Sequence, residues 1–258
     1  MVQDQESHLR TSIADRQNRH YGDAEGPPTR NINAPVGHTE KEKEMIKVKR
    51  FVCNQLQENC YVVSDDTLEC AIIDCGAFFK GDHQALADYI ADNQLKPVRL
   101  ISTHGHLDHQ FGIATVAEAY GLTTECAAGD SNLIEGLKEQ ASAIFGMQLD
   151  TDFPTKFRYY DDNEKIRFGH HELTVIPTPG HTPGSVTLYC REEGIAFTGD
   201  TLFKGSIGRT DFPGGNMFQM ISSLRELSQL PDQTIIYPGH GDQTTIGYEL
   251  AHNPYMDR

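Results

Sequence analysis

The sequence lacks several features that mark whole classes of protein. It contains no tryptophan, no stretch near the roughly 18 consecutive apolar residues of a membrane span, and no apolar core of a secretory signal at its amino terminus. Lys and Arg number 22 against 37 Asp and Glu, a formal net charge of -15. That balance supplies too few cations for a phosphate-binding surface. We therefore expect a cytoplasmic protein that binds neither nucleic acid nor a membrane.

The cysteines and glycines form no familiar cofactor motif. There is no Cys-x-x-Cys pair, so neither a zinc knuckle nor a redox motif is indicated. Gly205-Ser206-Ile207-Gly208 lacks both the Lys of a phosphate-binding loop and the spacing of a dinucleotide motif. The six cysteines lie in or beside apolar runs, which predicts buried, reduced thiols: Cys53, Cys60, Cys70, Cys75, Cys126 and Cys190. With 38% apolar and 23% charged residues, the composition is that of a soluble globular protein.

Residues 1–44 differ from the rest of the chain. They combine glycines and prolines with polar residues and contain almost no large apolar side chains, so they cannot form a core. We predict a disordered tail over residues 1–44 and one domain over residues 45–258. The sequence leaves open whether the tail is a regulatory arm, a remnant of cloning or an upstream stretch translated ahead of the usual start.

The apolar pattern after Met45 predicts two blocks of strands with helices after each. Ile46, Val48 and Val52 alternate, as on the buried face of a first strand. Further strands are predicted at residues 60–63, 70–73, 98–101 and 234–237, with several short ones between 157 and 198, and helices at 85–95, 111–120, 133–145, 217–230 and 244–252. Two blocks of mostly antiparallel strands favour a sandwich of two sheets with helices outside over a doubly wound parallel sheet.

The densest set of potential metal ligands is the segment from Thr103 to His109, directly after the apolar run 98–101. It carries His104, His106, Asp108 and His109. Neutral imidazoles suit zinc and iron, and carboxylates compensate the charge of the ion. A compact turn lets the first two histidines reach one ion while Asp108 and His109 reach a second. A helix cap would explain Asp108 but none of the three histidines, so the segment predicts a metal site.

Three later residues are candidate ligands because each follows an apolar strand. They are His181, Asp200 and His240, each with glycine or proline beside it so that the backbone can turn sharply at the strand end. Alone, each is equally well explained as a turn histidine or a cap aspartate, but together with the segment from Thr103 to His109 they indicate strand ends that converge on one site. The remaining histidines are predicted not to bind metal: His8, His20, His38, His83, His170, His171 and His252.

These motifs together resemble those of a known family. The H-x-H-x-D-H turn, Gly-His-Thr-Pro-Gly-Ser at 180–185, Thr-Gly-Asp at 198–200 and Pro-Gly-His at 238–240 resemble the ordered motif set of the metallo-β-lactamase superfamily, from Met45 to the end of the chain. Residues 197–203 and 208–211 resemble the short, single-domain glyoxalase II-like hydrolases in particular. The resemblance implies an αββα sandwich, an α/β fold in which two mixed sheets pack face to face with helices outside.

The resemblance also implies a ligand set. His104, His106 and His181 would hold one metal, Asp108, His109 and His240 a second, and Asp200 would bridge both. Asp74 matches a buried aspartate that supports the histidine turn. The implied cofactors are two divalent metal ions, zinc in the first place and iron or manganese as alternatives.

The implied reaction is hydrolysis of a small thioester or ester, such as S-lactoylglutathione. Two cations about 3.5–4 Å apart share a water, lower its pKa towards about 7 and aim the bridging hydroxide at a carbonyl carbon. Asp108 and Asp200 are the predicted catalytic residues, Asp108 as a base for the water. A thiol with a pKa of about 8.5 leaves readily as thiolate near neutral pH, which favours thioesters.

The chain departs from full-length glyoxalase II, whose separate helical domain supplies glutathione contacts, because it ends shortly after His240. Use of glutathione therefore stays open, with Arg209, Tyr248 and Asn253 as candidate residues of a lid. Two other functions are considered: a persulfide dioxygenase holding one iron through His104, His181 and Asp200, and a non-enzymatic metal-binding module. A β-lactamase is disfavoured because those enzymes usually carry Cys or Ser where Asp200 stands. The sequence does not determine the oligomeric state.

Overall fold

The computed structural model describes residues 45–256, so the predicted tail at 1–44 lies outside the described residues. Within the described part, the strands are β1 (Lys47–Cys53), β2 (Glu58–Ser64), β3 (Glu69–Ile73), β4 (Lys96–Ile101), β5 (Thr124–Ala127), β6 (Phe157–Tyr160), β7 (Lys165–Phe168), β8 (His171–Pro177), β9 (Val186–Cys190), β10 (Ile195–Gly199), β11 (Leu202–Phe203), β12 (Ser206–Ile207), β13 (Ile235–Pro238) and β14 (Thr244–Thr245). The α helices there are α1 (Lys80–Asp92), α2 (Ile113–Tyr120), α3 (Ser131–Glu135), α4 (Leu137–Phe145), α5 (Met217–Leu227) and α6 (Ile246–His252).

Two six-stranded sheets form the centre of the fold. The first has the order β1-β2-β3-β4-β5-β6 and the second the order β14-β13-β10-β9-β8-β7. Side chains of both sheets share one core, in which Tyr61, Ile73 and Ile101 of the first sheet join Leu173 and Phe197 of the second. Complete burial of such side chains contributes roughly 1.5–3 kcal/mol each. The predicted face-to-face packing of two mixed sheets is confirmed.

Helices cover the outer faces of both sheets. Along β2, Tyr61 and Val63 point to the core between the sheets, while Val62 points to a second core that also contains residues of α1, α2 and α4. A third core lies between the second sheet and helices α5 and α6. Strands buried on both faces carry continuous rather than alternating apolar runs, as at residues 60–63 of β2 and 195–197 of β10. The order of layers is therefore αββα, as expected.

The cysteines are all buried and none forms a disulfide within the described part of the chain. Five of them belong to the core between the first sheet and its helices, whereas Cys190 belongs to the core between the sheets. This arrangement agrees with the expectation of buried, reduced thiols. Among the described residues, no helix has both the length and the apolar character that a membrane crossing requires.

Some predicted elements differ from the structure. The first sheet has three parallel pairings, from β3 to β6, so the expectation of mostly antiparallel strands holds only for the second sheet. The predicted helix at 133–145 is divided at Gly136 into α3 and α4. Val52 is 54% exposed, because β1 is an edge strand whose Phe51 and Cys53 turn inward instead. The last helix begins at Ile246, since residues 244–245 pair with β13.

The strand directions bring four loops to one place. β8 and β10 are each antiparallel to β9, and β13 is parallel to β10, so the carboxyl ends of β8, β10 and β13 lie at the same edge of the second sheet. The loops that follow these strands carry His181, Asp200 and His240, and the loop after β4 carries the segment from Thr103 to His109. Rigid strands thus position ligand-bearing loops at one edge of the sandwich.

Candidate metal centre

Six of the seven predicted ligands form two compact groups. His104, His106 and His181 offer ring nitrogens that all lie within 4.8 Å of one another. Asp108, His109 and His240 do the same with one carboxylate oxygen and two ring nitrogens. The structure brings together residues that are distant in the sequence, since Nε2 of His109 and Nε2 of His240 are 131 positions but only 3.3 Å apart. Each group has the number and type of ligands that a catalytic metal ion takes from protein.

Asp200 lies between the two groups. Its Oδ1 is 3.4 Å from Nε2 of His109, and its Oδ2 is 3.5 Å from Nε2 of His181 and 3.5 Å from Nε2 of His240. One carboxylate therefore reaches both groups at once. This is the placement that a bridging ligand requires.

The second ring nitrogen of several histidines is already used in a way that leaves Nε2 available. Nδ1 of His181 is 2.7 Å from the carbonyl oxygen of Arg209, and Nδ1 of His240 is 3.2 Å from that of Leu56. A carbonyl oxygen only accepts, so these Nδ1 atoms carry the proton and donate it. In the neutral ring, Nε2 then keeps a free lone pair. Such outer hydrogen bonds orient histidines that bind metals.

Two buried polar atoms at the centre have no hydrogen-bond partner among the described residues. They are Nε2 of His104 and Oδ1 of Asp200. Leaving such atoms unsatisfied in the interior costs free energy, and a cation between them would satisfy both. Nδ1 of His106 faces Nε2 of His181 at 2.8 Å, as two ligands of one ion would. The residues present therefore fit divalent metal ions.

The electrostatic environment keeps two imidazoles of the first group neutral, those of His104 and His106. Burial, together with the nearby His109, lowers the pKa of His104 well below its usual range. Burial and the neighbouring His181 lower the pKa of His106 to about 4. Both imidazoles are therefore unprotonated near neutral pH. Neutral imidazole is the form that binds metal ions.

The carboxylates at the centre stay ionised despite their burial. Burial raises the pKa of Asp200 and of Asp108, but the nearby His109 outweighs this and holds both pKa values below the usual range. Burial alone would lower the pKa of His109. The carboxylates of Asp200 and Asp108 outweigh burial and raise this pKa well above its usual value. The pKa of His240 is also raised, because Asp108 and Asp200 outweigh its burial. The carboxylates thus supply negative charge to hold cations.

Asp74 holds the segment from Thr103 to His109 in place through hydrogen bonds. One carboxylate oxygen accepts a hydrogen bond of 2.7 Å from the backbone nitrogen of Thr103, and the other accepts one of 2.7 Å from its hydroxyl. Oδ2 of Asp74 is also 3.1 Å from Nδ1 of His109. The carboxylate therefore fixes both the start of the turn and the orientation of one candidate ligand.

Asp130 is a further supporting residue, which sequence reasoning missed. Its carboxylate accepts hydrogen bonds of 2.7 Å from the backbone nitrogen of Gly105, 2.7 Å from the hydroxyl of Thr182 and 2.6 Å from the backbone nitrogen of Gly184. Gly105 and Thr182 each neighbour a candidate ligand. Asp130 thus ties the loop of His104 and His106 to the loop of His181.

Glu58 is also missed by sequence reasoning. Its side chain is fully buried, Oε1 is 3.8 Å from Nδ1 of His109, and neither oxygen has a hydrogen-bond partner among the described residues. Burial raises the pKa of this carboxyl well above its usual range. A β-carbon on Gly76 would lie 2.1 Å from Oε2, so only glycine fits beside Glu58. No motif in the sequence marks Glu58, which is the first residue of β2 and lies just before the apolar run at residues 60–63.

Close approach at the centre depends on one glycine in particular. A β-carbon on Gly239 would lie 2.3 Å from Oδ1 of Asp200 and 2.7 Å from Cε1 of His109. No real side chain tolerates such contacts. The glycine before His240 is therefore required for the two groups to lie next to Asp200.

A cavity of about 450 Å³ opens onto both groups. Its wall includes Leu56, Ile144, Phe145, Phe212 and, as predicted for a lid, Arg209. Neither of the other two candidate lid residues belongs to this wall. Asn253 is buried and its Nδ2 donates to the carbonyl oxygen of Ser206 at 3.0 Å, which is a structural role. Tyr248 stacks on His252 at the surface.

Among the histidines predicted not to bind metal, His171 is buried in β8. Its ring nitrogens are each 2.9 Å from a carboxylate oxygen, one of Asp65 and one of Glu193, which accounts for both. His252 is on α6, where Nδ1 is 2.9 Å from the carbonyl oxygen of Tyr248. The predictions for His8, His20 and His38 fall outside the described residues.

Comparison with known proteins agrees with the fold. The model of the metallo-beta-lactamase superfamily matches residues 53–240, a span that contains both groups and Asp200. The chain therefore belongs to the metallo-beta-lactamase superfamily, a superfamily of metallo-hydrolases.

Particular relatives are similar over nearly their whole length. Hydroxyacylglutathione hydrolase GloC of Haemophilus influenzae is 37% identical over 216 residues, which cover 83% of this chain and 97% of that protein. A solved structure of TTHA1623 in a di-iron-bound form is 33% identical, with a TM-score of 0.73, covering 81% of this chain and 100% of the other. The solved structure of the B3 metallo-beta-lactamase BLEG-1 is 32% identical, with a TM-score of 0.74, covering 81% and 99%.

Proposed function

We propose that this chain is a dinuclear metal-dependent hydrolase that cleaves a small thioester or ester. The observation that carries the proposal is the pair of buried ligand groups with the Asp200 carboxylate between them. Zinc is the first candidate for both ions, with iron and manganese as alternatives. The di-iron relative supports a site for two ions in a protein of this fold.

The proposed metal ligands are the residues of the two groups together with Asp200, which lies between them. His104, His106 and His181 hold the first ion, Asp108, His109 and His240 hold the second, and Asp200 binds both. Two divalent ions in such a site supply a water of lowered pKa as nucleophile and polarise the carbonyl group that is attacked.

The chain's own residues orient and accept protons around the reacting atoms. Oδ2 of Asp108 is 3.3 Å from Nε2 of His240, and Asp108 lies in the wall of the cavity, where it can accept a proton from a water. Asp74, Asp130 and the carbonyl oxygen of Arg209 hold the ligands in place through the hydrogen bonds described above. No serine or cysteine nucleophile is needed, and all the described cysteines are buried.

The proposed substrate is a small-molecule thioester. A relative named as a hydroxyacylglutathione hydrolase supports this class and makes S-lactoylglutathione the first compound to test. A thiolate leaves without full protonation near neutral pH, given a thiol pKa of about 8.5. We propose the cytoplasm as its location, because reduced thiols persist in reducing compartments. Nucleic acid and membrane are not proposed as partners.

The experiment that tests the proposal combines metal analysis with a thioester assay in an oxygen electrode. We expect about two metal ions per chain and thiol release from S-lactoylglutathione without oxygen uptake. Oxygen uptake that depends on iron and glutathione persulfide, with one ion per chain, would instead identify a persulfide dioxygenase. His240→Ala should lower the metal content towards about one ion, whereas His252→Ala on the surface of α6 should not.

A further inference from the structure

A groove lined by apolar side chains extends from the metal centre. A second cavity, of about 440 Å³, shares His106, Gln140, Ile144 and Phe212 with the cavity over the two ligand groups. The two cavities therefore adjoin along these four residues. We call the two adjoining cavities together the substrate groove.

Away from the metal ligands, most of the side chains that line the substrate groove are apolar, and the polar ones are Asn132, Glu139, Gln140 and Arg209. Ile144 borders both cavities and is 49% exposed, although it is a large aliphatic side chain on α4. Leu133 and Pro213 line the far part, which is the second cavity, whereas Leu56 lines the first cavity and Phe212 borders both. Exposed apolar side chains grouped in a concave surface typically mark a binding site for an apolar group.

The charge of the groove is balanced. Its one cation among the described residues that line it is Arg209, and the guanidinium is paired with both oxygens of Asp211 at 2.7 Å. The same guanidinium lies 3.7 Å from the centre of the Phe212 ring. Glu139 adds a negative charge at the far part. Outside the metal ligands, the groove therefore presents no net positive charge to a substrate.

The apolar lining of the substrate groove and its lack of net positive charge favour some classes of thioester over others. Glutathione carries two carboxylates, and a cation that is free to pair with a carboxylate binds it more strongly than a neutral donor does. An apolar chain instead gains from burial against the groove, by about 0.8 kcal/mol or about fourfold in binding for each methylene. The groove thus favours an uncharged substrate with an apolar chain.

We infer that this hydrolase selects uncharged thioesters that carry an apolar chain in the substrate groove, and that Asp211 disfavours anionic substrates by pairing with Arg209. The inference rests on the proposed function and narrows its substrate class. Asp211 is a specificity-determining residue in this account, since its carboxylate takes up the cation that a glutathione carboxylate would use.

The first test compares substrates on the full-length, metal-loaded protein. The probes are N-acetylcysteamine thioesters with acetyl, butanoyl and hexanoyl groups, which are uncharged, and S-lactoylglutathione. We expect kcat/KM to rise on the order of tenfold for the two methylenes between acetyl and butanoyl, and to exceed the value for S-lactoylglutathione. A preference for S-lactoylglutathione, with no dependence on chain length, would overturn the inference.

The second test uses variants of exposed residues. Ile144→Gln should flatten the dependence on chain length, whereas Phe218→Gln should retain it, since Phe218 is 90% exposed on α5 and lies outside the substrate groove. Asp211→Asn should shift the ratio of kcat/KM values towards S-lactoylglutathione by severalfold, and adding Arg209→Gln should cancel that shift. An unchanged ratio in Asp211→Asn contradicts the role of Asp211.

The outcomes separate this inference from the function on which it rests. Absence of metal-dependent hydrolysis for every thioester would defeat the proposed function itself. Hydrolysis of all four probes with S-lactoylglutathione preferred, and a selective loss of that preference in Arg209→Gln, would leave the function intact and overturn the inference alone.

Discussion

Asp200 touches both ligand groups, and its loss should be more damaging than loss of any single histidine. Its two oxygens lie 3.4 Å from Nε2 of His109 and 3.5 Å from Nε2 of His181, so one residue sets the spacing of the two groups. We expect Asp200→Ala to lower kcat for thioester hydrolysis on the order of a hundredfold or more, a loss similar to that of an oriented oxyanion donor.

The measurement is steady-state kinetics with metal content determined on the same samples. Asp88→Ala provides a matched control, because Asp88 is an exposed carboxylate whose Oδ1 accepts from Gln84 on the same helix. The control should retain full activity. Activity within a few fold of the wild type in Asp200→Ala would show that the carboxylate does not bridge.

Asp65 stabilises the fold through its charge. Its carboxylate accepts hydrogen bonds from the hydroxyl and the backbone nitrogen of Thr67 and from the backbone nitrogen of His170, and it lies 2.9 Å from Nδ1 of His171. Burial would raise the pKa of Asp65, but these hydrogen bonds lower it from 3.8 to about 2. A lowered pKa in the folded state stabilises the protein at pH values above about 4, and the contribution is lost as the pH falls towards about 2.

The expected contribution of Asp65 at pH 7 is about 2 kcal/mol of unfolding free energy. Asp65→Asn should lower the stability by about this amount at pH 7 and by less at pH 3, as measured by urea unfolding. Asp88→Asn serves as the exposed control. An equal loss at pH 7 and pH 3 would show that the charge of Asp65 is not what stabilises the protein.

At the residue scale, the sequence predicts groups that carry a motif and misses groups that do not. Ligands such as His104 and His181 are predicted because histidines next to strand ends and glycines form a recognisable pattern. Asp130 and Glu58 carry no pattern, since a carboxylate in sequence is indistinguishable from a surface residue until its burial is known. Their roles depend on contacts with distant residues, as between Asp130 and Gly184.

At the scale of elements, Asp130 joins two loops that come from different sheets. Three donors, in Gly105, Thr182 and Gly184, depend on its carboxylate. We expect Asp130→Ala to destabilise the protein by about 1–3 kcal/mol, because buried donors lose their acceptor. It should also weaken metal binding by about 10- to 100-fold, as loss of an outer hydrogen-bond partner does.

The measurement is a competitive metal titration at a temperature where both proteins are folded, with unfolding followed separately. Asp130→Asn keeps one acceptor oxygen and should give an intermediate metal affinity. Unchanged metal affinity in Asp130→Ala, despite a loss of stability, would mean that the two ligand loops hold their positions without this link.

Elements were predicted best where the pattern is local. Helix α5 and strand β13 lie close to their predicted positions, because apolar spacing and chain breakers define them. The parallel pairings of β4 with β3 and β5 were missed, since a short apolar run does not reveal the direction of its neighbour. The division at Gly136 was also missed, because a helical pattern of apolar residues continues through it.

At the scale of the whole molecule, the predicted boundary at Met45 can be tested directly. Within the part of the chain that the structure describes, the cores involve residues from Ile46 onward, and every candidate ligand lies beyond that point. We expect a chain that begins at Met45 to melt within a few degrees of the full-length protein and to retain its activity. Circular dichroism and the thioester assay measure both properties. Loss of folding on this truncation would show that residues 1–44 contribute to the domain.

The buried thiols allow local unfolding of the domain to be followed by chemical labelling. Alkylation needs a solvent-exposed thiolate, and burial raises the pKa of Cys70 and Cys126 to about 12 each, so reaction must wait for local unfolding. Because five cysteines belong to the core of the first sheet and Cys190 to the core between the sheets, mass spectrometry of each labelled peptide would time the two layers separately. The order of labelling would then reveal which layer of the sandwich opens first.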